Sequence, residues 1–273
     1  MTATSAPAKK KLSPRKRAQR MRWINYAVLA VVVVLLVSFM DGRQLQQVFF
    51  RPDMIARTVG PDLLNALKNT ILYTIGAFVF GLVLGTVLAL MKLSQIRPYR
   101  WLATIYTEFF RGVPAIIVLL AFSLLPLAIP GLQIPLEPFG AVWTALGLVS
   151  AAYMSETIRA GVLAVPKGQT EAARSLGMPS GMATQRIVLP QAFRIVTPPL
   201  TNELVLLTKD SSLIYVLGLT AEAFDLTKYG RDLTNTYANM TPLVIAGLTY
   251  LVITLPLTYL VRRMEAKQRK ATR

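Results

Sequence analysis

The stretch from Ile195 to Leu219 is apolar enough to lie in a bilayer, yet it carries Asn202, Glu203, Thr208, Lys209, Asp210, Ser211 and Ser212. A charged side chain at mid-membrane costs at least about 2.5–3.5 kcal/mol on insertion scales, so such groups turn toward protein or water. Residues seven apart share a helix face. Asn202 and Lys209 therefore make one polar stripe, and Glu203 and Asp210 a second, about 100° round. Pro198 and Pro199 weaken the start of this helix and free carbonyls that only protein or a water-filled cavity can satisfy. Elsewhere Arg111, with Gly112 and Pro114, breaks another apolar stretch, and Tyr153, Glu156 and Arg159 follow at three-residue spacing on one face of a third. Cys and His are absent, which removes thiol nucleophiles, disulfides, Cys/His zinc sites, Ser-His-Asp triads and histidine proton relays. Two uses remain for the buried charges: a polar wall along a passage, or ion pairs that hold helices together.

These groups need a frame, and composition says what kind. Of 273 residues, 53% are hydrophobic and only 16% charged, a balance unusual for a soluble chain. Six stretches approach the length of about 20 residues that crosses a bilayer: Ile24–Met40, Leu67–Met91, Ile105–Ile129, Phe139–Val162, Ile195–Leu219 and Leu243–Val261. Most of the 30 Lys and Arg lie before the first span, between the second and third, between the fourth and fifth, and after the sixth. Short cytoplasmic loops retain basic residues, so both termini are expected in the cytoplasm of a multi-pass protein of the cell membrane. The formal charge of +17 is thereby explained without a nucleic acid partner. Residues 1–23 read as a basic cytoplasmic tail, a disordered topology signal or a segment touching anionic lipid. The first span, 24–40, reads as a retained anchor, because Met40-Asp41-Gly42-Arg43 offers no small-x-small cleavage site. Gly81 and Gly85 match the small-xxx-small pattern of close helix packing.

The connection Ala164–Phe193 is longer than a tether requires. Glu171-Ala172-Ala173-Arg174-Ser175-Leu176 is built of good helix formers with Glu171 in the first turn, Gly177 suits a helix stop, and Pro179 prevents continuation. Ser180 is expected to cap a second short helix, Gly181–Leu189, ended at Pro190.

Glu171-Ala172-Ala173, three residues, Gly177, nine residues, Ile187, one residue, then Leu189-Pro190 resembles the EAA loop of permease subunits of binding-protein-dependent ABC importers. Glu108-Phe109-Phe110-Arg111-Gly112-Val113-Pro114, Tyr153 with Glu156, Arg159 and Gly161, and Lys209-Asp210-Ser211-Ser212-Leu213 resemble the polar amino acid branch of that family, the histidine, glutamine and glutamate type. The likeness covers residues 65–264, a permease domain holding the coupling loop 164–193, and leaves 265–273 as a basic tail. It implies an all-α transmembrane bundle, a five-helix type I importer core plus an extra N-terminal span. It implies no enzyme and no cofactor in this chain: a separate cytoplasmic ATPase binds ATP and Mg and grips Glu171, Ala172, Ala173, Gly177, Ile187, Leu189 and Pro190. A second permease subunit and an extracytoplasmic amino-acid-binding protein complete the assembly. No G-x-x-x-x-G-K-[ST] stretch is present, consistent with an external motor. The expected pathway residues are Arg111, Glu156, Asn202, Glu203, Lys209, Asp210, Ser211 and Ser212. An acidic or polar amino acid is the expected cargo, glutamate the first choice, with Lys209 and Arg111 meeting carboxylates and Glu156 an ammonium group. A proton-coupled secondary transporter or channel and a non-transporting scaffold are the alternatives. The first would call for an inverted repeat or proton relay, and the second has no use for the charges on the fifth span.

Overall fold

The computed structural model describes residues 14–132, 134–217 and 219–271. They fold without a strand, into two units that divide after Phe50. The expected basic run from Lys9 to Lys11 lies outside the described residues.

The first unit holds α1 (Pro14–Ser38) and α2 (Gly42–Phe49). The basic residues from Arg15 to Arg22 belong to α1, which begins ten residues before the expected start at Ile24. A tail that reads as disordered by charge is thus helical where it is described, because Lys, Arg, Gln and Ala are good helix formers and lead without Gly or Pro into the apolar run. Its apolar side chains from Trp23 to Leu35 are exposed, on a helix of membrane-spanning length and composition. Asp41 caps α2, its Oδ1 accepting from the N–H of Arg43 at 2.9 Å and of Gln44 at 3.3 Å.

The second unit comprises α3 (Pro52–Thr58), α4 (Pro61–Leu93), α5 (Arg97–Gly112), α6 (Ala115–Ala128), α7 (Phe139–Leu163), α8 (Lys167–Ser175), α9 (Ser180–Ala183), α10 (Leu189–Asp210), α11 (Leu226–Tyr237) and α12 (Thr241–Ala271). Pro52, Pro61 and Pro98 sit in first turns, where a missing N–H costs nothing. The main core joins Tyr73 and Ala77 of α4, Val118 and Leu119 of α6, Val142, Leu146 and Met154 of α7 and Leu207 of α10. The most extensive contact is α4 on α7. The small-xxx-small pair makes it: a Cβ on Gly81 would sit 2.1 Å from Ser150 Oγ, and one on Gly85 3.0 Å from the Ala151 carbonyl oxygen. The backbones approach so closely only because neither residue has a side chain.

Among the described residues three helices are long and apolar enough to cross a membrane (within α1, α4 and α12), and up to five spans result if each bent pair counts as one. The expected third span is such a pair, α5 and α6 meeting at 103° over Val113 and Pro114, since a proline disfavours helical geometry in the residue before it. α7 and α8 bend by 55°. The expected fifth span is not among them. It begins earlier, as α10 at Leu189, ends at Asp210, and holds Arg194, Glu203, Lys209 and Asp210. Pro198 and Pro199 lie inside it without breaking it. Pro198 cannot bond the Arg194 carbonyl, and Gln268 of α12 donates to that oxygen instead.

Between α10 and α12 the chain makes two 3₁₀ turns, 211–216 and 221–223, and then α11. Polar side chains of α4 hold this stretch. Asn69 Nδ2 donates to the Glu222 carbonyl at 2.7 Å, and Tyr73 donates to that of Ala223 at 2.9 Å. Asp225, fully buried, caps α11 by accepting from the N–H of Thr227 at 2.8 Å and of Lys228 at 3.1 Å, and it also accepts from the Tyr250 hydroxyl at 3.1 Å. Burial pushes its carboxyl above the usual carboxylate range, against the opposing pull of these donors.

Candidate functional site

The break between α5 and α6 opens a cavity of about 520 Å³ against α7 and α10. Arg111, Gly112 and Val113 through Ala115 line one side, Leu146, Val149, Ser150 and Tyr153 another, and Glu203, Leu206, Leu207 and Asp210 the third. Pro114 disfavours helical geometry at Val113, which is extended here, so the last turn of α5 ends at the cavity and delivers Arg111 to it. The guanidinium carbon stands 5.7 Å from the centre of the Tyr153 ring, a cation–π distance. Glu203 and Asp210 enter by the seven-residue face repeat. The walls are thus largely apolar, with one cation, two carboxyl groups and an aromatic ring: a size and chemistry suited to a small zwitterion.

Of the residues expected on a pathway, Arg111, Glu203 and Asp210 come together here. Asn202 and Lys209 do not. They share the neighbouring stripe of α10 and are exposed. Ser211 is buried in the following 3₁₀ turn, its hydroxyl donating to the Thr208 carbonyl at 2.8 Å, and Ser212 is half-buried in the same turn. Glu156 is elsewhere too. Its Oε2 accepts from Arg159 Nη2 at 2.8 Å and its Oε1 from Lys92 of α4, whose ammonium also reaches Thr107 Oγ1 of α5. This cluster ties three helices together and engages both carboxylate oxygens of Glu156 in ion pairs away from the cavity. Tyr153, one turn before Glu156, takes its place at the cavity. The Leu146, Val149, Ser150, Tyr153 spacing marks that face in the sequence, whereas nothing local marks Lys92 as the partner of a residue 64 positions on.

The loop after α7 forms a second site. In α8 Glu171 and Ala172 are exposed while Ala173 is buried. The helix starts at Lys167, so Glu171 stands in its second turn rather than its first. Gly177 has φ +86°, its N–H bonds the Arg174 carbonyl at 2.9 Å, and the Met178 N–H bonds that of Ala173 at 3.1 Å. This is the glycine-terminated helix end that the sequence predicts. The second helix differs from expectation. Pro179 rather than Ser180 precedes α9, no side chain caps it, and the chain runs from α9 through a wide π turn, 184–188, into α10 without a stop at Pro190. Pro190 falls in the first turn of α10, and the π turn, which shifts the bonding register, absorbs its missing N–H. Ile187 and Leu189 are half-buried along this run, while Leu176 is 83% and Met182 41% exposed. The result is a helical elbow whose exposed surface sets Leu176 and Met182 among Glu171, Arg174 and Arg186, joined to α7 on one side and α10 on the other.

Residues 81–270 match the family described as binding-protein-dependent transport system inner membrane component. The chain is 41% identical over 208 residues to the arginine transport system permease protein ArtQ of Bacillus subtilis (strain 168), covering 76% of this chain and 92% of that one. It is 37% identical over 215 residues to the glutamate/aspartate import permease protein GltK of Escherichia coli O157:H7, covering 76% and 93%. A crystal structure of an amino acid ABC transporter superposes with a TM-score of 0.68 at 35% identity, over 79% of this chain and 97% of the other. A bacterial transporter of alginate shares the fold with a TM-score of 0.65 at 18% identity, over 92% and 99%.

Proposed function

The chain belongs to the family of binding-protein-dependent transport system inner membrane components, and from that premise we propose that it is the membrane-spanning permease subunit of an ATP-driven amino acid importer. It lies in the cell membrane with six crossings and both termini in the cytoplasm. Two such subunits form the passage, cytoplasmic ATPases bind the α8–α9 elbow, and an extracytoplasmic binding protein delivers the solute. The ATP and Mg belong to the ATPases. Names of relatives on both the arginine and the glutamate/aspartate side support amino acid cargo.

The observation that carries this reading is the cavity lined by Arg111, Glu203 and Asp210. Arg111 holds an α-carboxylate and one acidic side chain an α-ammonium group, through charge-assisted hydrogen bonds. A carboxyl group remains over for the cargo's own side chain. The case for glutamate drew on Lys209 as a second cation; with Lys209 outside the cavity wall, the balance of charge favours a polar or cationic side chain. Closure of the ATPases pushes on α8, and the bend into α7 passes that push to the helices around the cavity, alternating the side on which it opens.

The test is uptake into vesicles holding the assembled transporter with its ATPase and binding protein. Glu203→Gln and Asp210→Asn are each expected to lower the rate by about tenfold, the loss of roughly 1.4 kcal/mol from one charge-assisted contact. Unchanged rate and apparent affinity in both variants would remove the cavity from the pathway.

A further inference from the structure

The helices that surround the cavity hold their charges in distinct ways. Lys92, Glu156 and Arg159 neutralise one another. Arg111, Glu203 and Asp210 share the cavity, while Lys68, near the outer end of α4, can reach the interface along its flexible stem. Asp62 of α4, Arg97 and Arg100 of α5 and Arg194 of α10 lie toward the helix starts; farther along, Glu108 of α5 and Lys209 of α10 remain. Each is exposed, and neither makes a salt bridge among the described residues. Both stand at the level of the cavity, Glu108 one turn before Arg111 and Lys209 next to Asp210, where lipid contact would cost at least about 2.5–3.5 kcal/mol for such a group.

Each lies on an exposed seam with helical i, i+4, i+7 spacing. On α5 the seam is Trp101, Ile105 and Glu108; on α10 it is Asn202, Leu206 and Lys209. One seam is apolar with a single acid, the other mixed with a single base. We propose that these two seams are the faces by which two copies of this chain meet, α5 of one against α10 of its partner, with Glu108 paired to the partner's Lys209 and the reverse. A two-fold axis makes both pairs at once, because an isologous interface repeats each contact. A single charged pair in an otherwise apolar or weakly polar contact also sets the register of the two helices. The cavities, which begin one residue beyond Lys209 and one turn beyond Glu108, then open beside the shared face.

The inference rests on the reading that two permease chains form the passage, and commits it to identical copies. The chain has no cysteine, so introduced thiols are unique. Two differently tagged copies, one Glu108→Cys and one Lys209→Cys, are co-expressed with the ATPase and treated in membranes with a thiol crosslinker about as long as the side chains replaced. A product of twice the chain mass carrying both tags is expected, and none when either cysteine is omitted. Glu108→Lys and Lys209→Glu should each cut uptake at least about tenfold, and the double exchange should recover to within about twofold of the unaltered protein. Copies that purify together with the ATPase yet give no mixed product overturn the Glu108–Lys209 contact while the paired permease stands. Chains that purify with the ATPase without a second copy overturn both. A double exchange no better than the single variants also overturns the contact.

Discussion

Replacing Lys92 by Met tests whether the ion cluster at the end of α4 holds the bundle together. The Lys92 side chain is 8% exposed, that of Glu156 24% and that of Arg159 38%. Removing one partner of a fully buried pair costs about 3–5 kcal/mol because the other charge is stranded, whereas an exposed pair contributes about 0–1 kcal/mol. Glu156 keeps Arg159 and some water, which places Lys92→Met between these limits, at about 1.5–3 kcal/mol. The double variant Lys92→Met, Glu156→Gln leaves no stranded carboxylate, and Arg159 reaches solvent. It should therefore cost less than Lys92→Met alone. Equilibrium unfolding of the purified chain, both single variants and the double variant in mixed micelles by SDS titration, followed by tryptophan fluorescence, reads these costs. A single-variant cost below about 0.5 kcal/mol, or a double-variant cost equal to the sum of the singles, would refute the reasoning.

Gly85→Ala puts a methyl 3.0 Å from the Ala151 carbonyl oxygen and 3.2 Å from the Ser155 nitrogen. Backbone cannot give way as a side chain can, so overpacking of about 1–3 kcal/mol outweighs the helix preference of up to about 1 kcal/mol, and the same titration should show a net loss. Gly247→Ala on α12 meets nothing within 4 Å and should gain up to about 1 kcal/mol. Because burial raises the Asp225 carboxyl, the folded state holds that proton more tightly than the unfolded one. Stability from this group is then greatest below the unfolded value of about 3.9 and falls as pH rises toward the folded value. Melting of Asp225→Asn, which keeps an acceptor for the α11 N–H groups, should show a shallower decline over that range than the unaltered protein. Glu171→Lys reverses a charge on the exposed side of α8 and is expected to abolish capture of the ATPase on affinity beads while the chain still inserts; normal capture would detach the elbow from the motor.

Much of this molecule is legible along the chain because the signals are local. Gly81 and Gly85 announce a close helix contact, Gly177 a left-handed helix end, and Val113-Pro114 a break, each through backbone geometry that neighbouring residues cannot alter. The seven-residue spacing of Glu203 and Asp210 puts them on one face wherever that face points. Local reasoning fails where a second element intervenes. Pro190 reads as a helix stop, but a π turn carries the chain through it. Glu156 reads as a solute ligand until Lys92, remote in sequence, occupies it. Pro198 reads as a weak start, but Gln268 satisfies the carbonyl it frees.

Helicity, apolarity enough for a bilayer, a charged stretch and a structured loop all follow from the order of residues, because periodicity, length and turn chemistry are properties of short segments. The tertiary structure alone decided which of the charges meet. Helix rotation and contacts between distant segments settle whether a carboxylate faces a cavity, a lysine on the next helix, or the outside. Those choices depend on desolvation, which no residue can show until its neighbours in space are known.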